Sequence, residues 1–165
     1  MTRDLDAVDT IEGQWRQERP DLDPSPMTVI GRITRLASLL DRELDTAFAE
    51  YGLAGCDFDV LATLRRSGAP YRLTPTELSR STMVTTGGMT KRLDRLEANG
   101  LIRRDPDPSD RRGKLIALTD EGRELIDRAV EGHLANEERL LACVTPPDRT
   151  RLADLLRDML LAVDR

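Results

Sequence analysis

The chain has 165 residues, long enough for one domain with a real core and short for two. Its composition of 39% hydrophobic and 33% charged residues suits a helical protein with solvated faces, and no apolar run approaches the roughly 18 residues of a membrane span. The net charge of -5 argues against nucleic acid only until it is divided along the chain. Arg72 to Lys114 holds ten Lys/Arg against six Asp/Glu, a local +4, and leaves -9 on the remainder. Local charge decides where a phosphate backbone can sit, so the middle of the chain is the candidate contact.

In chain order, residues 5–18 read as a short helix closed at Arg19-Pro20, followed by a PDLDPSP linker. Ser25 is expected to be an N-cap with Pro26 at the first helical position. Ile30, Ile33, Ala37, Leu40, Leu44, Ala47 and Tyr51 then recur at helical spacing, giving one long amphipathic helix to about Tyr51. A shorter helix covers about 57–66, stopped by Ser67-Gly68. Thr74-Pro75-Thr76-Glu77 is a capping box opening a helix through about Ser81. The next helix is expected from Thr86 to Asn99, ended by Gly100.

LIRR and KLIALT are β-compatible runs separated by DPDPSDRRG, which predicts a hairpin with a long, basic tip. Thr119 caps a further helix, and Thr145-Pro146-Pro147-Asp148 opens the last one. The expected fold is therefore mainly α with a small β-hairpin wing (α+β), a winged helix-turn-helix between N- and C-terminal helices. Those outer helices, 1–51 and 120–165, are too apolar on one face for residues 53–119 to cover, so burial against a second copy in a two-fold homodimer is expected.

Successive helical residues turn by about 100°. With Met89, Leu93 and Leu96 as the buried stripe, Gly87, Lys91, Asp94 and Ala98 face outward, with Thr90 and Arg95 on the flanks. Such a small, polar face suits the major groove. Close approach of backbone to DNA would account for Gly87-Gly88. Arg111, Arg112 and Lys114 at the hairpin tip suit a minor groove, where narrow tracts concentrate negative potential. Aromatics at 3% are too few to stack on single strands, so the expected partner is duplex DNA with a pseudo-palindromic site. The expected DNA contacts are Thr85, Thr86, Gly87, Thr90, Lys91, Arg95, Arg111, Arg112 and Lys114.

An enzyme is not expected. His133 is the only histidine, no Cys/His/carboxylate set has metal spacing, and no Gly-rich phosphate loop follows a strand. No cofactor or metal is implied. Cys56 and Cys143 lie far apart, as in a reducing compartment, and the acidic N-terminus is no signal peptide, so a cytoplasmic location is expected. A protein-interaction module without DNA binding is the alternative of another class.

The ordered motifs L-E-x-x-G-L-I-x-R over Leu96–Arg104, D-x-R over Asp110–Arg112 and L-T-x-x-G over Leu118–Gly122 resemble the MarR family. The resemblance implies a dimeric winged helix-turn-helix repressor, released from palindromic operators by a small ligand. The additional N-terminal helix with the single tryptophan resembles the urate-responsive, PecS/UrtR-type subfamily. That likeness implies a ligand set of Trp15, Asp59, Arg92 and Arg104. Two arginines can neutralise and fork onto a flat anion, an aspartate can accept its N–H, and an indole can cover its face. The effector is thus expected to be urate or a related purine. The alternatives are a phenolic or other aromatic ligand, or oxidation at Cys56.

Overall fold

The computed structural model describes residues 4–82 and 88–164, with the backbone alone at Arg111 and Arg112. The helices are α1 (Ala7–Glu18), α2 (Ser25–Ala49), α3 (Gly55–Arg66), α4 (Pro75–Ser81), α5 (Met89–Ala98), α6 (Asp120–Leu140) and α7 (Pro146–Val163). The strands β1 (Arg72–Leu73), β2 (Ile102–Asp107) and β3 (Asp110–Leu118) form one antiparallel sheet in the order β1-β3-β2. The chain divides into two compact units, Met1–Thr46 and Ala47–Arg165. Among the described residues no helix is long and apolar enough to cross a membrane.

In the first unit, α1 opens on a capping box: the Asp6 carboxylate accepts from the Val8 and Asp9 amides, and Asp9 accepts from the Asp6 amide. The helix therefore starts at Ala7, two residues later than the sequence suggests. Val8 is its one buried residue and packs on Gly31, where an added Cβ would lie 3.3 Å from Val8 Cγ1. Arg32 completes the joint, donating from Nε to Asp6 at 2.8 Å and from Nη2 to Asp9 at 2.6 Å. Ser25 is the first residue of α2 rather than its N-cap. The Asp23 carboxylate, two residues upstream, accepts from the Ser25 amide at 3.0 Å and hydroxyl at 2.8 Å. Met27, Val29, Ile30, Leu36 and Leu39 stand exposed along α2.

The core of the second unit gathers Val60, Leu61, Leu64, Leu78, Leu96, Ile102, Ile116 and Ile126, each at most 2% exposed. Thr74 caps α4 as its sequence predicts, its hydroxyl accepting from the Glu77 amide and its own amide donating to the Glu77 carboxylate. β1 is a third strand not anticipated from sequence, pairing Arg72 with Ala117 and Leu73 with Ile116. Two residues carry no periodicity; only the neighbouring β3 makes them a strand.

The hairpin also differs from expectation. Its strands run out to Asp107 and Asp110, so the connection is only Pro108-Ser109, held by Asp107 accepting from the Ser109 amide and hydroxyl. Arg111 and Arg112 consequently belong to β3 and not to a long loop. A register shift between Pro106 and Asp107 absorbs the extra residues, and Pro106 sits in an edge strand where a missing N–H is tolerated.

One joint ties α5, β2 and α6 together. The Thr119 hydroxyl caps α6 by accepting from the Gly122 amide at 3.0 Å, and donates to the Gly100 carbonyl at 2.7 Å. The Thr119 amide donates to the Leu101 carbonyl. α7, in contrast, buries none of its side chains, leaving Leu155, Leu160 and Leu161 more than half exposed.

Candidate nucleic-acid interface

α5 is a ten-residue helix whose orientation follows from its apolar stripe: Met89, Leu93 and Leu96 are buried, while Thr90, Lys91, Asp94 and Ala98 are exposed. Gly88 precedes it with φ +83 and nothing near where a Cβ would point. At Gly88 the glycine is therefore required by a left-handed backbone and not by crowding. Thr85, Thr86 and Gly87 lie outside the described residues.

Arg95 is half exposed, and its guanidinium is committed. It forks onto Asp57 in the first turn of α3, with Nη2–Oδ1 at 2.5 Å and Nε–Oδ2 at 3.1 Å, and Nη2 also lies 3.9 Å from Cys56 Sγ. Asp57 is only 5% exposed. This bond is the main reason that Arg95 is held more firmly protonated than usual. Asp57 was not among the site residues expected from sequence; an acid in a helix's first turn is too common a signal.

Arg104 on β2 makes the mirror-image contact. It donates to Asp94 at 2.6 Å and to Glu97 by a shorter bond, and the Asp94 bond chiefly raises its own pKa. Of the wing cations, Lys114 is exposed opposite Pro106, and the side chains of Arg111 and Arg112 are not described.

The expected ligand residues fall at separate positions. Asp59 is 8% exposed and borders a hollow of about 750 Å³ between α3 and α6, lined also by Phe58, Arg65, Glu131 and His133. Arg92, half buried on α5, and Arg104 do not line that hollow. Trp15, 44% exposed, belongs to the first unit. Both cysteines are free thiols, and among the described residues no group of three or more His, Cys, Asp or Glu could hold a metal ion.

Residues 51–113 match the family model described as MarR family. The chain is 47% identical over 156 residues to the HTH-type transcriptional regulator PecS of Dickeya dadantii (strain 3937), covering 94% of this chain and 93% of that protein. Its fold is similar to Sco3205, a MarR family transcriptional regulator from Streptomyces coelicolor solved in complex with DNA. The TM-score there is 0.77 at 28% identity, covering 86% of this chain and 93% of that one. It is also similar to Bordetella bronchiseptica BpsR, solved to explain regulation of its DNA binding by 6-hydroxynicotinic acid. That match has a TM-score of 0.69 at 25% identity, over 79% of this chain and 91% of that one. A helix with a polar outward face, a β-hairpin beside it and identity sustained along nearly the whole length converge: the chain belongs to the MarR family, as a DNA-binding helix-turn-helix transcriptional regulator and not an enzyme.

Proposed function

We propose that this regulator is a homodimeric repressor that binds a pseudo-palindromic operator and leaves it when a small anionic aromatic ligand, urate or a related purine, is bound. The observation that carries the DNA half is the outward side of α5, where Lys91 stands exposed opposite the buried stripe and Thr90 exposed on its flank. Residues 53–119 would form the reading lobe, with Arg111, Arg112 and Lys114 of the wing meeting the backbone or minor groove. Dimerisation through helices in 1–51 and 120–165 is supported by α7, an 18-residue helix with no fully buried residue within its own chain.

The effector class is supported by chemistry and by a relative. A nearly buried aspartate bordering a hollow that Arg65 and Arg66 also line suits a flat anion carrying N–H donors, and the DNA binding of BpsR is regulated by an aromatic acid. Trp15, Asp59, Arg92 and Arg104 are the proposed ligand set. Tenfold release from DNA requires about 1.4 kcal/mol of differential affinity between the two states, within the reach of one charge-assisted contact.

Light scattering after gel filtration should give about twice 18.5 kDa; a monomer at micromolar concentration would refute the dimer. Anisotropy on a duplex selected by the protein from a random pool should show release by urate, with quenching of the single tryptophan. Arg104→Ala should weaken the urate response more than Trp15→Phe. No heat of binding with millimolar urate or xanthine would sink the purine reading and leave the DNA-binding role intact.

A further inference from the structure

α5 rests on the core through Met89, Leu93 and Leu96, a stripe that fixes its depth and tilt. A narrow stripe on a ten-residue helix leaves rotation about the axis weakly determined, because leucine and methionine can repack over a range of angles. Rotation nevertheless decides which side chains reach a base edge, since one residue's step is about 100°. Something other than the stripe must set it.

Charged contacts flank the stripe on both sides. From its centre Arg95 lies about 130° one way, Asp94 about 130° the other way and Glu97 about 70° that same way. Arg95 is gripped by Asp57 of α3, and Asp94 and Glu97 are gripped by Arg104 of β2. The two contacts have opposite polarity, so each anchor attracts only its own side of α5. Between them the outward face keeps Lys91 and Ala98, and Thr90 stands exposed on the Asp94–Glu97 flank. The Asp57 contact is bidentate and its carboxylate nearly buried, which gives it a directional, poorly screened character that surface ion pairs lack. Among the described residues, both hydrogen bonds that the Asp57 carboxylate accepts come from Arg95. A guanidinium swung out to a phosphate would leave that buried charge unpaired.

We propose that Arg95 is a positioning residue: by forking onto Asp57 it sets the rotation of α5 and so aims Thr90 and Lys91, without itself contacting DNA. The proposal rests on α5 being the DNA-reading helix. It reassigns Arg95 from the contacts that sequence alone suggests, and gives Asp57 a role in specificity although it is nearly inaccessible.

The test measures affinity, by anisotropy across a salt series, for two duplexes: one selected by the wild-type protein from a random pool, and a scrambled duplex of the same composition. If loss of the contact leaves the reading rotation about a tenth populated, Arg95→Gln weakens binding to the selected duplex about tenfold. Affinity for the scrambled duplex and the salt slope should hold, because no phosphate contact is lost. Asp57→Asn should do the same, and the double variant should be no worse than either single one. A variant that merely destabilised the fold would lower the active fraction on both duplexes and leave their affinity ratio alone.

The positioning role is overturned if Arg95→Gln leaves that ratio unchanged. It is also overturned if the slope falls by about one ion with both duplexes weakened alike, or if Asp57→Asn tightens binding by freeing a cation. Should Asp57→Asn fail to fold, Arg95→Gln decides alone, since its side chain is half exposed. Lys91→Ala is the reference: no effect on either duplex would overturn α5 as the reader and this role with it, a result distinct from failure of the pair alone.

Discussion

Replacing Gly122 by alanine would put a methyl group where the joint between α5, β2 and α6 leaves no room. An added Cβ would lie 1.9 Å from the Leu101 carbonyl oxygen, 2.8 Å from its carbon and 3.2 Å from its Cα. All three are backbone atoms, so no side chain can swing aside. The Leu101 carbonyl also accepts from the Thr119 amide, and the Leu101 amide donates to Leu96 at the end of α5. Any shift that admits the methyl group therefore strains a bond on each side. Overpacking costs about 1–3 kcal/mol, and the weakened bond about 1 more. Alanine's better helix propensity returns at most about 1 kcal/mol, less in a first turn. The net expectation is a loss of about 1–4 kcal/mol. Urea denaturation followed by circular dichroism, at one fixed protein concentration, should show a lower midpoint with an unchanged slope. A midpoint equal to or above the wild type's would show that α6 and Leu101 can separate at no cost, and would refute the reasoning.

Gly132→Ala should also destabilise, by about 1–3 kcal/mol, because its Cβ would lie 2.1 Å from Tyr51 Oη; here the obstacle is a side-chain end, so Tyr51→Phe in the same background should recover part of the loss in thermal melts. Thr74→Ala removes the reciprocal capping of α4 and should cost about 1 kcal/mol in denaturant midpoint, with little change for Ser79→Ala on the same helix. Bonds from Arg32 hold the Asp6 and Asp9 carboxyls below their ordinary 3.8. The stability they add is present above that pH and lost as pH falls through the lowered folded values. Asp6 is exposed and Asp9 only partly buried, so the effect is small; wild type and Arg32→Ala, followed by Trp15 fluorescence, should differ at pH 6 and converge toward pH 2.

Local chemistry made several features legible in advance. Thr74-Pro75-Thr76-Glu77 caps α4, Thr119 caps α6, and Met89, Leu93 and Leu96 form the buried stripe of α5. Each depends on residues within a turn or two of one another, where spacing and side-chain type already determine the partner. The hairpin was legible as an element but not in its extent, because strand length depends on register with the neighbour and not on composition. Ser25 was misplaced by one position: it opens α2, with the Asp23 carboxylate accepting from its amide and hydroxyl.

The candidate interface shows the same division. Which side of α5 points broadly outward followed from its sequence, since the apolar stripe must face the core, while the finer rotation about the axis did not. Nor did the commitments of Arg95 and Arg104. Arg95 meets Asp57 across 38 residues of chain, and Arg104 meets Asp94 across ten, through the packing of α3, α5 and β2. As letters these are basic residues in a basic stretch, fit for phosphate, ligand or carboxylate alike. Periodicity and caps are encoded over one or two turns, so most helices and the outward side of α5 could be read from the residues alone. Only the tertiary structure brings a buried carboxylate to a particular guanidinium, because that pairing exists only once distant segments have packed.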